Sequence, residues 1–243
     1  VEDQARRTGR EVLLHLNHPS FYYTFTAEDL AAVLAERFFE IFNGHPGVRQ
    51  LGDNNHASVE QIWDIANTLR IAGLQQAPLF GLGVDDSHNY FNASGSTPGR
   101  GWVMVRAKEL SADAICEALM AGEFYASSGV LLDDVTFAHG ELTLRIHTEP
   151  GVSYRTEFRG TRRGFDRSSH AVTHDGSPLG GVTRRYSDDV GAVLATVKGP
   201  NATYRLRGDE LYVRAIVTAD VKPVNPVWKD QKQQAWTQPV GWR

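Results

Sequence analysis

A single cysteine, Cys116, stands in the 243-residue chain, which excludes an internal disulfide and every CxxC metal site. It lies beside Ile115 and Leu119 in a helical pattern, where a buried structural thiol is expected rather than a nucleophile. Long apolar runs are also missing. Nothing approaches the roughly 18 residues of a membrane span, and no signal-peptide pattern is present, so no membrane partner is expected. Basic residues are not in excess: 25 Lys and Arg face 29 Asp and Glu, for a net charge of -4. That balance leaves no basic face for a nucleic acid. The GxSxG elbow, the Walker A loop and HExxH are all absent. Gly95, Gly99 and Gly101 lack both the lysine and the spacing of a phosphate loop, so residues 95–101 read as a flexible rim loop.

What is present is ordinary globular material, 41% hydrophobic and 22% charged, long enough to bury a sizeable core. Residues 1–9 read as the tail of a helix closed by Gly9, as expected of a chain cut from a longer parent. Residues 12–16 form a short apolar run ending in Asn17, His18 and Pro19, which places His18 at the carboxyl end of a strand. Thr26 opens a helix with Asp29 completing a capping box, and residues 37–42 make the next strand, with Glu40 inside it and Asn43 at its exit. Ser58 and Gln61 form a second capping box, and Ile62, Trp63, Ile65, Ala66 and Leu69 carry that helix to Gly73. A third strand at 78–84, a fourth at 102–107 and a helix at 112–121, capped by Ser111 and stopped by Gly122, follow.

Strand alternating with helix predicts parallel βα units, whose ligand sites lie at the carboxyl ends of the strands. At the third of these ends the period of two turns Asp86 and His88 to the same side. A carboxylate beside a neutral imidazole suits a divalent cation. His18, Glu40 with Asn43, and Asp86 with His88 thus stand at one expected rim, and Arg100 can reach a substrate phosphate from the neighbouring loop. From residue 130 onward the pattern changes to strand-like runs at 142–147, 154–158, 192–198, 202–206 and 211–218, with no amphipathic helix, which reads as an all-β, sandwich-like module. The pairs Arg162–Arg163 and Arg184–Arg185 sit among Gly, Ser and Asp and read as solvated loops. His45 and His56 read the same way, and Tyr204, Trp228, Trp236 and Trp242 as core or packing aromatics.

The ordered series Leu16–Pro19, Phe39–Gly44, Trp63–Asp64 and Gly83–His88, closed by residues 101–105 and 122–130, resembles the later motifs of the polymerase-and-histidinol-phosphatase (PHP) superfamily, most of all its CehA/McbA-like metallohydrolases. The resemblance covers about residues 5–132. It implies an α/β fold, a partial (β/α)7-type barrel over residues 1–132, ahead of the β-sandwich-like unit at 133–243. It also implies two or three divalent metals (Zn, Mn or Fe) and hydrolysis of a small phosphoester substrate by metal-activated water. By that resemblance His18, Asp86 and His88 match metal ligands, Asp86 and His88 would be the catalytic pair, and Glu40 matches a glutamate near the site. The HxH strand, the Asp-Gly and TDH-type segments and the further glutamate and histidine of such domains do not precede His18. Four strands and three helices also fall short of a closed barrel of roughly 250 residues. The isolated chain is therefore expected to be inactive or nearly so. A second class stays open, a non-catalytic binding protein that uses the β module. An HxH strand encoded ahead of Val1 favours the first class, and a parent in which those ligands are replaced favours the second.

Overall fold

The computed structural model describes residues 2–10, 12–92, 94–174, 177–178 and 180–242. Local chemistry sets the helices. In α2 (Ala27–Ala32) the Thr26 hydroxyl accepts from the Asp29 N–H, and the Asp29 carboxylate accepts from the Thr26 N–H. Ser58 and Gln61 make the same reciprocal box at the start of α3 (Val59–Thr68). Ser111 caps α4 (Ala112–Ala121), and Gly122 ends it in the left-handed conformation at φ 76°. Each such cap contributes about 1 kcal/mol. A first helix, α1 (Glu2–Thr8), closes at Gly9, which also has positive φ. The last turn of α3 widens into a π-helical turn at Leu69–Gly73, where the buried Arg70 guanidinium donates to the carbonyls of Val33, Glu36 and Ala77.

Strands dominate. The short β1 (His15–Leu16), β2 (Phe38–Asn43) and β3 (Phe80–Val84) form a parallel sheet in that order. The next strands, β4 (Trp102–Val105) and β5 (Phe124–Ser127), pair with each other antiparallel. Beyond them come β6 (Leu132–Ala138), β7 (Glu141–Ile146), β8 (Tyr154–Arg162), four two-residue strands β9 (Ser169–His170), β10 (Thr173–His174), β11 (Ser177–Pro178) and β12 (Arg185–Tyr186), then β13 (Ala192–Lys198), β14 (Asn201–Arg205), β15 (Glu210–Ala219) and β16 (Gln234–Thr237). Six of these make one sheet in the order β13-β8-β15-β16-β5-β4, every neighbouring pair antiparallel. A three-stranded sheet, β14-β7-β6, shares its core through Leu142, Leu144, Tyr204, Phe158 and Val213.

The expected partial (β/α)7 barrel is therefore wrong. Among the described residues only three strands are parallel, the four α-helices are short, and no barrel closes. The misreading turns on β4. Expected as a fourth parallel strand, it enters the large antiparallel sheet, because β5 returns from α4 alongside it in the opposite sense and β16 covers the far edge of β5. Close glycine contacts fit β3 against these strands. A Cβ on Gly83 would meet the Trp102 carbonyl at 2.7 Å, and one on Gly101 would meet the Phe42 ring at 2.6 Å. Residues on either side of position 132 thus share one sheet and one core: Trp63, Phe39 and Phe42 pack with Ile216 and Trp236. The Gln238 amide also brackets Gly81, accepting from its N–H at 2.8 Å and donating to its carbonyl at 2.9 Å.

Candidate functional site

The carboxyl ends of the three parallel strands meet through a chain of side chains. Glu40, buried on β2, accepts from the His18 N–H at 2.6 Å and from the Asn43 amide at 2.7 Å through the same oxygen, Oε2. The Asn43 amide also donates to Asp86 at 3.2 Å, and its carbonyl oxygen accepts from the His45 N–H at 2.7 Å. Asp86 in turn holds the His88 imidazole, Nε2 to Oδ1, at 3.1 Å. His18 and Asp86 both have left-handed backbone, at φ 26° and 49°. Such a conformation costs a side-chain-bearing residue on the order of 1–3 kcal/mol and persists only where surrounding contacts enforce it.

Those contacts are visible for Asp86. Asp85 turns away from the rim and binds the N–H groups of Gly99, Arg100 and Gly101, closing the loop that follows β3. Ser96, buried, accepts through its carbonyl from the N–H groups of His88 and Asn89, and its hydroxyl bonds the Asp86 carbonyl. The acid and imidazole are thus held on a pinned loop. Asp86 keeps about a quarter of its side-chain surface exposed and His88 about two thirds, at 24% and 69%.

The structure brings Asp86, His88, Asn43 and Glu40 together, and ties in His18 through its backbone. The His18 ring packs against Phe21 at 5.2 Å and forms no hydrogen bond with Asp86 or His88 among the described residues. Arg100 does not reach outward. It is 6% exposed, with its guanidinium donating to the carbonyls of Gly44 and Gly95 and to the Asn225 side chain, so it braces the rim loop instead of facing solvent.

His45, read from sequence as a solvated loop residue, belongs to this rim. Its ring stands edge-on to His88 at 5.5 Å and to Phe21 at 6.0 Å, and its Nδ1 accepts from the Gly47 N–H at 3.0 Å. The signal available was its place directly after Asn43 and Gly44 at the exit of β2.

Two carboxylates, Glu40 and Asp86, therefore share one neutral amide, and among the described residues no lysine or arginine pairs with either. That arrangement concentrates negative charge where the sheet ends. Carboxylates with imidazoles nearby are the right donor types for zinc, manganese or iron. As placed they do not close a cage: among the described residues no group of three His, Cys, Asp or Glu side chains is set to hold an ion. His88 Nε2 is directed at Asp86.

No family model, curated protein or solved structure matches the chain.

Proposed function

We propose that the rim formed by His18, Glu40, Asn43, Asp86 and His88 is where this chain acts, and that its chemistry is phosphoester hydrolysis of the kind its PHP-like motifs imply. The observation that carries this reading is the paired carboxylates, Glu40 and Asp86, joined at 2.7 and 3.2 Å to one amide and, among the described residues, without a lysine or arginine partner. A site of this sign attracts a divalent cation. The donors present do not by themselves complete a metal centre, so the chain alone is proposed to bind such an ion weakly and to turn over phosphoesters at or near background.

What these residues do on their own concerns a proton. The Asp86 carboxylate engages His88 Nε2, and the ring's Nδ1 is the nitrogen proposed to meet water or substrate. Asn43 and the Ser96 contacts hold that pair in place. The test is calorimetric titration with Mn2+ or Zn2+ alongside a p-nitrophenyl phosphate assay. Weak binding that falls at least tenfold in Asp86→Asn, with little or no turnover, is the expected result. Binding untouched by Asp86→Asn sinks the reading, and rapid hydrolysis by this polypeptide contradicts the incompleteness assigned to its site.

A second reading, a non-catalytic binding protein, draws on the direct Asp86–His88 bond and the lack of a three-ligand group. It expects no cation binding at the rim at all.

A further inference from the structure

A second cleft, of about 750 Å3, opens where the loop before α3 faces the segment around β12. It contains none of the rim residues discussed above. Its walls are polar. His56 and Gln61 line it together with Arg159, Arg184, Arg185 and Tyr186. A volume in this range suits a small ligand.

Most of the ionic groups around it are already matched. Asp64 is bound by Arg214 and Tyr212, Arg159 by Glu157, and Asp53 by His56. Glu28 accepts from the Arg184 N–H and from the Tyr186 hydroxyl, and Asp188 is the remaining acid on the wall. The two guanidinium groups differ. Arg184 donates to the Ser169 hydroxyl at 2.9 Å and the Ser169 carbonyl at 2.8 Å, and Arg185 donates to the Asn54 carbonyl. Neutral oxygens orient these groups without cancelling their charge, and among the described residues neither has a carboxylate partner. Each keeps further N–H donors in the planar fork that fits an oxyanion.

His56 is fixed just as firmly. Its Nδ1 lies 2.8 Å from Asp53 Oδ1, and its ring stacks on Tyr23 with centroids 3.6 Å apart and planes 2° from parallel. Asp53 itself accepts from the N–H groups of Asn55 and His56, which hold its carboxyl well below the usual range and keep it charged. Among the described residues the ring's Nε2 has no hydrogen-bond partner. An N–H at that position is a third donor beside those of the two arginines.

We infer that this cleft is an oxyanion site that takes a phosphate or phosphomonoester group, with Arg184 and Arg185 as its charged donors and the Asp53-held His56 as a third. The site stands independently of the rim chemistry. Its test is calorimetric titration of the whole chain with inorganic phosphate, and separately with glucose 6-phosphate, at low ionic strength. Saturable binding is expected in the millimolar range or tighter. It should weaken at least tenfold in Arg184→Gln and in Arg185→Gln, less in His56→Gln, and remain unchanged in Asp86→Asn. Arg184→Gln removes only bonds to Ser169, and a circular dichroism melt confirms that it folds. Tighter binding of the sugar phosphate marks a phosphomonoester as the ligand, and equal affinity marks free phosphate. No saturable binding, or equal affinity in wild type and both arginine variants, overturns the assignment.

Discussion

Two aspartates, Asp64 and Asp86, organise two different parts of the molecule. Asp64 lies in the core on α3, where Arg214 of β15 grips both its oxygens at 2.8 and 2.6 Å and Tyr212 donates to it at 2.8 Å. The guanidinium also lies over the Trp63 ring, 4.7 Å from its centroid. Burial disfavours the charged guanidinium, but the Asp64 carboxylate outweighs it and pushes Arg214 above its usual value, while burial and the same carboxylate raise the Tyr212 hydroxyl. Among the described residues Asp86 has no such guanidinium partner. It shares an amide with a second acid and lends its remaining capacity to an exposed imidazole. The paired charges tie α3 to the large sheet, whereas the rim carboxylates meet an amide and an imidazole instead of a guanidinium. The difference separates a charge pair matched inside the core from carboxylates held only by neutral donors and an imidazole at a strand end.

Breaking the core pair should give the largest effect. Arg214→Met leaves Asp64 charged, buried and unpaired, at an expected loss of about 3–5 kcal/mol in urea denaturation. Joint replacement by Asp64→Leu and Arg214→Met should recover most of that loss, and a double variant as unstable as the single one would contradict the pairing. Asn43→Ala removes the amide that joins Glu40 to Asp86 and leaves Glu40 one donor short, with an expected cost of about 1–3 kcal/mol by the same assay.

A smaller effect is expected at Glu210. Burial alone would raise its carboxyl, but the Tyr204 hydroxyl and the N–H groups of Arg207 and Gly208 outweigh burial and hold it below the ordinary value of 4.5. A depressed carboxyl adds stability above that value, which is lost as pH falls through the lower folded value. Acid titrations should therefore show wild type losing stability below pH 4.5 more steeply than Glu210→Gln. The smallest change is expected for Arg106→Ala, which removes a half-exposed ion pair to Asp134 at 2.6 Å. Thermal melts should move by no more than about 0.5 kcal/mol equivalent.

How much of this was legible in the sequence follows from the range of the interactions. Thr26, Ser58, Ser111 and Gly122 announce their helix ends because a cap is completed within a few residues. The rim acids and histidines stand out for the same reason, each at the end of an apolar run. Sheet membership did not, since the run at β4 suits a parallel or an antiparallel neighbour equally and its partners are chosen by β5 and the distant β16. The Asp64–Arg214 pair joins residues 150 positions apart, and nothing local to either marks the other. The rim position of Arg100 suggests reach toward a substrate phosphate, but its carbonyl partners, distant in sequence or across the loop, turn it inward. His45 lacks an apolar run of its own and so reads as a solvated loop residue, although its ring meets His88.

The central claim, that the rim is an uncancelled carboxylate pair able to take a cation while the core pair is not, is tested most directly by Mn2+ titration of 15N-labelled protein. Paramagnetic broadening confined to signals of His18, His45 and His88, and abolished in Asp86→Asn, is the expected result. Broadening that is absent, centred elsewhere, or unchanged in that variant would contradict it.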